Sequence, residues 1–301
     1  MQINSNNYPL VSIIMNCYNG ETYLNDAVKS IISQKYKNFE VIFWDNQSRD
    51  NSSLIYKSFK DKRLKYYYAK KHTSLYRARN LAIKKAKGKL IAFLDTDDIW
   101  LKDKLSSQIE KFKNKKVCLV YSNYYILNQV TGLKKIAYKK ILPEGLIYKD
   151  LLKNYFLGIG TVITKKDLFL KRKKYFNEKF NIIGDFDNFI RISKNNYFSC
   201  VQYPLSIYRI HNKSFSNLTY KMHIDELKFW VKKNYFINKN LLFYVKQKIL
   251  YMEIILNILK KKYIVSLKII QKIYSIKKKI KLFIFLIIPN FIFKKIKINF
   301  S

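Results

Sequence analysis

Through the first 130 or so positions of this 301-residue chain, short unbroken apolar runs alternate with stretches in which apolar residues recur every three or four positions. LVSIIM (10–15) and EVIFW (40–44) have the length and composition of strands covered on both faces, and LKYYYA (64–69), LIAFL (90–94) and VCLVYSNYYIL (117–127) read as three further strands. Between them, Leu24, Ala27, Val28, Ile31 and Ile32 mark the inner face of a helix after the Asn19-Gly20 break. The polar turn DNQSRDNS (45–52) leads into a second helix, with Ser48 or Asp50 as its N-cap. A third, over 74–86, buries Ala78, Leu81, Ala82 and Ala86 and is expected to stop at Gly88. Leu101, Leu105, Ile109 and Phe112 line one face of a fourth.

Alternation of this kind predicts an α/β architecture with a mostly parallel, doubly wound sheet. The pattern is less regular after 128. Strands are expected at 159–163 and 205–210 and a helix at 186–194. Beyond about 219 the pattern is helical, lysine-rich and nearly free of acids and glycine. A boundary is therefore expected near 220. It separates a first domain, 1–220 (halves of about 8–128 and 129–220), from a basic helical extension, 221–301.

Apolar residues make up 49% of the chain, enough for a large core. Cys17, Cys118 and Cys200 are far apart and no CxxC occurs, so a disulfide framework is not expected and a reducing compartment fits. The opening MQINSNNYPLVSIIM has neither a basic n-region nor a small-residue cleavage site, so no secretory signal is expected. The formal charge is +39, and only seven of the 59 basic residues are arginine. Lysine coating every solvated face explains such a balance as readily as attraction to anionic lipid or nucleic acid. No RRM, helix-turn-helix or zinc-finger pattern is present, so a nucleic-acid partner is not expected.

From residue 227 onward there are eighteen lysines and a single acid, Glu253, interleaved with Ile, Leu, Phe and Tyr. LFIFLIIPNFIF (282–293) is too short for an ordinary transmembrane helix and is broken by Pro289. An interfacial segment held on an anionic membrane surface is expected, against the alternative of a bundle with a lysine-coated exterior.

Ligands of open α/β sheets bind beyond the carboxyl ends of the strands. There the chain places Asn16-Cys17-Tyr18-Asn19, then Asp45-Asn46, then Asp95-Thr96-Asp97-Asp98. Three carboxylates within four residues repel one another, and a hard divalent cation, Mg²⁺ or Mn²⁺, relieves that repulsion while it also binds substrate phosphates. No P-loop and no strand-borne GxGxxG occurs, so phosphates would be held by metal and basic side chains.

Two segments, VSIIMNCYNGETYLNDAVKSIISQKYKNFEVIFWDNQSRDNS and RARNLAIKKAKGKLIAFLDTDDIW, resemble family 2 glycosyltransferases, which have the GT-A fold and a DxD-type motif. The resemblance runs in order over about 8–215. It implies an inverting transferase that moves a sugar from a nucleotide-diphosphate donor, by family habit a UDP-sugar, to a hydroxyl of a lipid-linked or cell-surface glycan. It further implies that Asn16 and Tyr18 line the base pocket and that Asp45 accepts from the pyrimidine. Arg79 would contact the nucleotide, and Asp95 would face the ribose or donor sugar. Asp97, shared with Asp98, would bind the metal. In IIGDFDNFIRIS, Asp185 falls on the family's catalytic base, with Asp187 as a competing neighbour and Gly184 where an acid usually stands. IYRIH (207–211) resembles a YRxH element in which Arg209 holds the diphosphate and His211 reaches the metal. Gly158 and Gly160 are expected to form turns near the acceptor groove. Upstream of Arg79 the usual glycine-rich turn is replaced by His72-Thr73-Ser74-Leu75-Tyr76-Arg77. Gly184 leaves open a catalytically impaired member that serves as a scaffold. The expected location is the cytoplasmic side of the membrane, peripherally attached.

Overall fold

The computed structural model describes residues 9–170, 175–211 and 219–288. Two adjacent parallel strands form its centre, β1 (Val11–Cys17) and β2 (Phe39–Asp45), each buried at all seven positions. Helices cover both faces of a parallel pair, so neither strand has a solvent-facing side and both are mostly apolar; the buried Ser12 hydroxyl donates to Glu40 Oε1 at 2.6 Å across them. β3 (Leu64–Tyr68) joins β2, and β4 (Leu90–Phe93) joins the other edge of β1, both parallel. The connecting helices are α1 (Glu21–Ile32), α2 (Ser52–Ser58) and α3 (Leu75–Lys85). Leu24, Val28 and Ile31 of α1 pack on Ile13, Met15, Val41 and Phe43 in one core. Each such side chain contributes about 1.5–3 kcal/mol by leaving water.

Chain order continues through β5 (Ile99–Trp100), α4 (Lys104–Lys111), β6 (Val117–Asn128), β7 (Lys134–Ile136) and α5 (Tyr148–Lys153). A single 3₁₀ turn (Ile159–Thr161) precedes β8 (Ile163–Lys165), α6 (Asp167–Leu170), α7 (Gly184–Ser193) and β9 (Tyr197–Ile210). The strand order is β3-β2-β1-β4-β8-β6-β9-β5, with β7 on β6. β8 runs antiparallel to both β4 and β6, and β5 antiparallel to β9. The sheet thus has a parallel half that carries the β–α loops and an antiparallel half.

Several local expectations change. The strand expected at 159–163 is mostly the 3₁₀ turn, and pairing begins only at Ile163. The residue before α2 is Asn51, whose side chain caps nothing; of the two expected caps, Ser48 Oγ accepts from Asn19 N, while Asp50 accepts from Glu21 N through Oδ2 and from Ser52 N, at the start of α2, through Oδ1. α3 ends at Lys85 with Ala86 extended, and Gly88 is not a left-handed cap. Gly88 instead permits close backbone approach: a Cβ there would lie 2.5 Å from the Leu10 carbonyl oxygen and 2.7 Å from the Ser12 nitrogen.

A second compact unit consists of Lys149–Tyr155 and Ile210–Ser301, so the break follows Arg209, where the sequence places it near 220. Its described part holds α8 (Tyr220–Lys233), α9 (Lys239–Leu259), α10 (Tyr263–Ile270) and α11 (Ile276–Ile287). Ile254, Ile258, Ile270, Leu282 and Phe285 form its core. The side chains of Asn238 and Ser275 cap α9 and α11. Pro289 and the rest of the apolar run to 293 lie outside the described residues. Among the described residues no helix is long and apolar enough to cross a membrane.

Candidate functional site

The carboxyl ends of β1 and β2 are turned by two residues with positive φ, Asn19 (53°) and Gln47 (68°). The loops they begin are laced together. Asn19 N donates to Ser48 Oγ at 3.0 Å, Arg49 N to Asn19 Oδ1 at 2.8 Å, and Glu21 N to Asp50 Oδ2 at 3.0 Å. Asn46, 5% exposed, clasps a third loop: its Nδ2 donates to the Thr73 carbonyl at 2.7 Å. His72 Nδ1 lies 2.9 Å from the Asn46 carbonyl, which can only accept, so Nδ1 carries the proton. The ring of His72 stands 4.4 Å from that of the exposed Tyr18.

Within this frame Asn16 and Asp45 behave differently. Asn16 is 8% exposed, and neither its side-chain oxygen nor its nitrogen has a hydrogen-bond partner among the described residues. An unsatisfied buried amide costs about 1–3 kcal/mol, which a polar ligand would recover. Asp45 is fully buried, with Oδ1 accepting from Ser48 N and Oδ2 from the Tyr66 hydroxyl, both at 2.7 Å. Burial, then this carboxylate, push the Tyr66 hydroxyl well above its ordinary value. The pyrimidine contact that the resemblance gives Asp45 has no exposed oxygen here. Both of its oxygens are used within the protein, one of them in the turn that follows β2.

The acidic turn follows β4. Asp95 accepts from Arg79 Nη2 at 2.6 Å, and Arg79, 3% exposed, also lies over the Tyr76 ring. Asp98 is buried, its N–H folded back to the Asp95 carbonyl and its Oδ1 accepting from Arg209 N at 3.0 Å. Burial, then the charges of Asp97 and Asp95, hold the Asp98 carboxyl well above the usual carboxylate range. Among the described residues no three His, Cys, Asp or Glu side chains converge as a closed metal cage. The donor set still suits a divalent ion. Mg²⁺ commonly takes one or two carboxylates and completes its shell with water and substrate phosphate, and a cation would relieve the repulsion at Asp98.

Arg209 does not present itself to a diphosphate in this structure. It is 5% exposed, and its guanidinium donates to the Asp97 carbonyl (2.9 Å), Gln129 Oε1 (3.1 Å) and Asp26 Oδ2 (3.2 Å). It stacks at 4.4 Å on Tyr23. Its place is that of an anchor for the acidic turn. His211 follows the last residue of β9 and belongs to the second unit.

A cavity of about 190 Å³ opens within the first unit, and Asp95, Asp98 and Asp185 share its wall. Asp185 stands in the first turn of α7. Asp187, two positions along, is not among the residues lining this cavity and pairs with Arg191 at 2.9 Å. Gly158 and Gly160 line the cavity, and a Cβ at Gly160 would stand 3.6 Å from Asp98 Oδ2. Asp45 and Asn16 are not among its lining residues. Tyr124 and Tyr208 also line it. Burial and the neighbouring Tyr138 push the Tyr124 hydroxyl far up, so it stays a neutral donor. Nothing in the sequence singles out Tyr124 beyond its position inside an apolar strand. All three cysteines are free, and burial raises the thiols of Cys17 and Cys200, the latter to about 12, so neither is an activated nucleophile.

This geometry has counterparts. The chain is 34% identical over 214 residues to the Escherichia coli UDP-Glc:alpha-D-GlcNAc-diphosphoundecaprenol beta-1,3-glucosyltransferase WfgD, covering 70% of this chain and 81% of that one. It is 35% identical over 162 residues to the putative teichuronic acid biosynthesis glycosyltransferase TuaG of Bacillus subtilis, covering 53% and 63%. Among solved structures, S. aureus TarS 1–349 in complex with UDP-GlcNAc superposes with a TM-score of 0.59 at 19% identity, over 73% of this chain and 66% of that one. The mannosyltransferase PcManGT of Pyrobaculum calidifontis, in complex with GDP-Man and Mn²⁺, gives 0.57 at 14%, over 76% and 65%. These structural likenesses establish the GT-A fold. The model of Glycosyl transferase family 2 matches residues 12–181, which include the laced loops, the acidic turn and β8, and the chain is a glycosyltransferase belonging to that family.

Proposed function

We propose that this enzyme transfers a sugar, with inversion, from a UDP-sugar to a hydroxyl of a lipid-linked saccharide on the cytoplasmic face of a membrane. The observation that carries this reading is the cavity that brings Asp95 and Asp98, on the donor side, to the same wall as Asp185. Inversion needs a base opposite the leaving group, and Asp185 comes from a different part of the chain than the acidic turn. The donor class and acceptor class follow the names of the E. coli relative and of the TarS complex.

In this reading Asn16 and Tyr18 meet the nucleoside, and the unpartnered Asn16 amide supplies its hydrogen bonds. Arg79 holds Asp95 toward the donor. Asp97 and Asp98 would hold a Mg²⁺ or Mn²⁺, which would neutralise charge growing on the departing diphosphate. Asp185 receives the acceptor proton as the new glycosidic bond forms and the bond to the diphosphate breaks.

Membrane attachment belongs to the same reading. α11 buries Leu282 and Phe285 on its inner side, while Ile276, Ile280, Ile284 and Ile287 are 50–84% exposed along its opposite side. Lys277 and Lys279 flank that stripe, the arrangement of a helix that lies in a lipid headgroup layer.

A thermal-shift screen of UDP-, GDP- and dTDP-sugars against the full chain, with and without Mn²⁺, tests the donor and the metal together. Stabilisation by a UDP-sugar that depends on Mn²⁺ and disappears in Asp97→Ala is expected. Equal stabilisation by all nucleotides without metal, or full transfer by Asp97→Ala, overturns the reading.

A further inference from the structure

Two departures from the family pattern meet in space. Tyr76 stands where the glycine-rich turn is missing, and Gly184 stands where an acid is usual. Tyr76 is 2% exposed in the first turn of α3. A Cβ at Gly184 would lie 2.5 Å from Tyr76 Cδ2 and Cε2 and 2.6 Å from Cγ, closer than any real side chain tolerates. The ring occupies the volume that a residue at 184 would need.

The hydroxyl of the same tyrosine donates to the Ile182 carbonyl at 2.8 Å and lies 3.2 Å from Asp185 Oδ1. Its ring is held against Phe176 at 5.4 Å and beneath the Arg79 guanidinium at 5.4 Å. One rigid side chain therefore fixes the backbone on either side of Gly184 and touches the carboxylate at 185. We propose that Tyr76 is the positioning residue for Asp185, and that Gly184 is the vacancy in the helix start that lets it reach that place. The proposal rests on Asp185 as the base.

Proton arithmetic supports the assignment. A phenol has one hydrogen and two lone pairs. With Asp185 ionised, that hydrogen is shared between the Ile182 carbonyl and Oδ1. When Asp185 has taken the proton from the acceptor hydroxyl on its other oxygen, Oδ1 is left as the carbonyl oxygen of the neutral carboxyl group and still accepts from Tyr76, which keeps its bond to Ile182. The contact survives both charge states, and Tyr76 gains or loses no proton over the cycle. Tyr76 is absent from the cavity wall, so its influence on the reaction passes through Asp185.

The test is steady-state kinetics on the full chain, with the donor selected by the screen above and a short-chain polyprenyl-diphosphate saccharide as acceptor. Tyr76→Phe keeps the ring and removes the hydroxyl. We expect kcat to fall about 10-fold, a change of ~1.4 kcal/mol in the barrier, while the donor KM and the melting temperature hold. Unchanged kcat overturns the proposal. Asp185→Asn separates the two layers. If it abolishes turnover while Tyr76→Phe does not alter it, only the positioning role fails; if it keeps full turnover, the base reading fails and takes the proposal with it. A second measurement covers poor folding of any one variant. Gly184→Ala should lower kcat and melting temperature alone, because its methyl displaces the ring, yet cost little more in a Tyr76→Ala background. Fully additive losses overturn the pairing.

Discussion

The backbone N–H of Arg209 donates to Asp98 Oδ1 at 3.0 Å, and the Arg209 side chain reaches the Asp97 carbonyl at 2.9 Å. Strand β9, at the antiparallel side of the sheet, thereby grips the acidic turn that leaves the parallel side. If this grip is the main task of Arg209, its loss must be felt without any ligand. Arg209→Lys cannot reproduce the guanidinium fork. It should cost about 2 kcal/mol, roughly 4–8 °C in the ligand-free melting temperature. A residue used only for diphosphate would leave the ligand-free melt unchanged and weaken UDP binding alone.

Asp98 supplies the complementary experiment. Its buried carboxylate sits beside two other acids and is held neutral-leaning by burial and by their charge. Asp98→Asn keeps an oxygen for Arg209 N and removes the repulsion. The ligand-free melting temperature should therefore hold or rise, while the extra stabilisation by UDP with Mn²⁺ should disappear. Retained Mn²⁺-dependent stabilisation in that variant would show that the ion is held elsewhere.

How much of this was legible in the sequence depends on the range of the interaction. β1 and β2 were readable because both are buried at every position, so apolar residues dominate them and the few polar ones, such as Ser12 and Glu40, bond to each other; β3 lies at the sheet edge, half exposed, and was readable by its β-prone tyrosines. Asp95, Asp97, Asp98 and Asp185 were readable as polar residues at strand or helix ends. The antiparallel half was less so. β9 contains Pro204 and mixed polar positions, and the 3₁₀ turn before β8 resembles a strand in composition. The hydrogen bonds that Asp45 and Arg209 make in this structure were hidden because their partners, Tyr66 for one and Asp26 and Gln129 for the other, lie 21 to 183 positions away. The Tyr76–Gly184 contact was visible only as two unexplained departures, since nothing local ties 76 to 184.

His223 gives the second unit a built-in acid sensitivity. Burial, then the Lys248 ammonium, lower its pKa from the ordinary 6.5 to about 3. The unfolded chain protonates near 6.5 and the folded one does not, so this contribution is complete above about pH 6.5 and is lost as pH falls toward 3. The slope is about 1.4 kcal/mol per pH unit. Between pH 7 and pH 5, wild type should lose about 2 kcal/mol more stability than His223→Gln, with the carboxylates common to both cancelling. Parallel losses in urea titrations at the two pH values would show that His223 is hydrated and not buried.

The exposed stripe of α11 decides between a lipid-bound tail and a lysine-coated bundle. Ile276, Ile280, Ile284 and Ile287 are 74, 56, 50 and 84% exposed, and replacing all four by Ser leaves Leu282 and Phe285 in the core of the unit. A bundle that faces only water gains or loses little from that change. A helix seated in headgroups loses part of about 1.5–3 kcal/mol per isoleucine, while its lysines keep about 1 kcal/mol each toward an anionic surface. Wild type should co-sediment with phosphatidylglycerol vesicles more than with phosphatidylcholine vesicles, and less so in high salt. The fourfold Ser variant should stay in the supernatant, with its melting temperature unchanged and its Mn²⁺-dependent UDP binding intact. Its transfer to an acceptor embedded in vesicles should fall, while transfer to a short-chain acceptor in solution should not. Equal sedimentation of the two proteins would assign the stripe to something other than lipid.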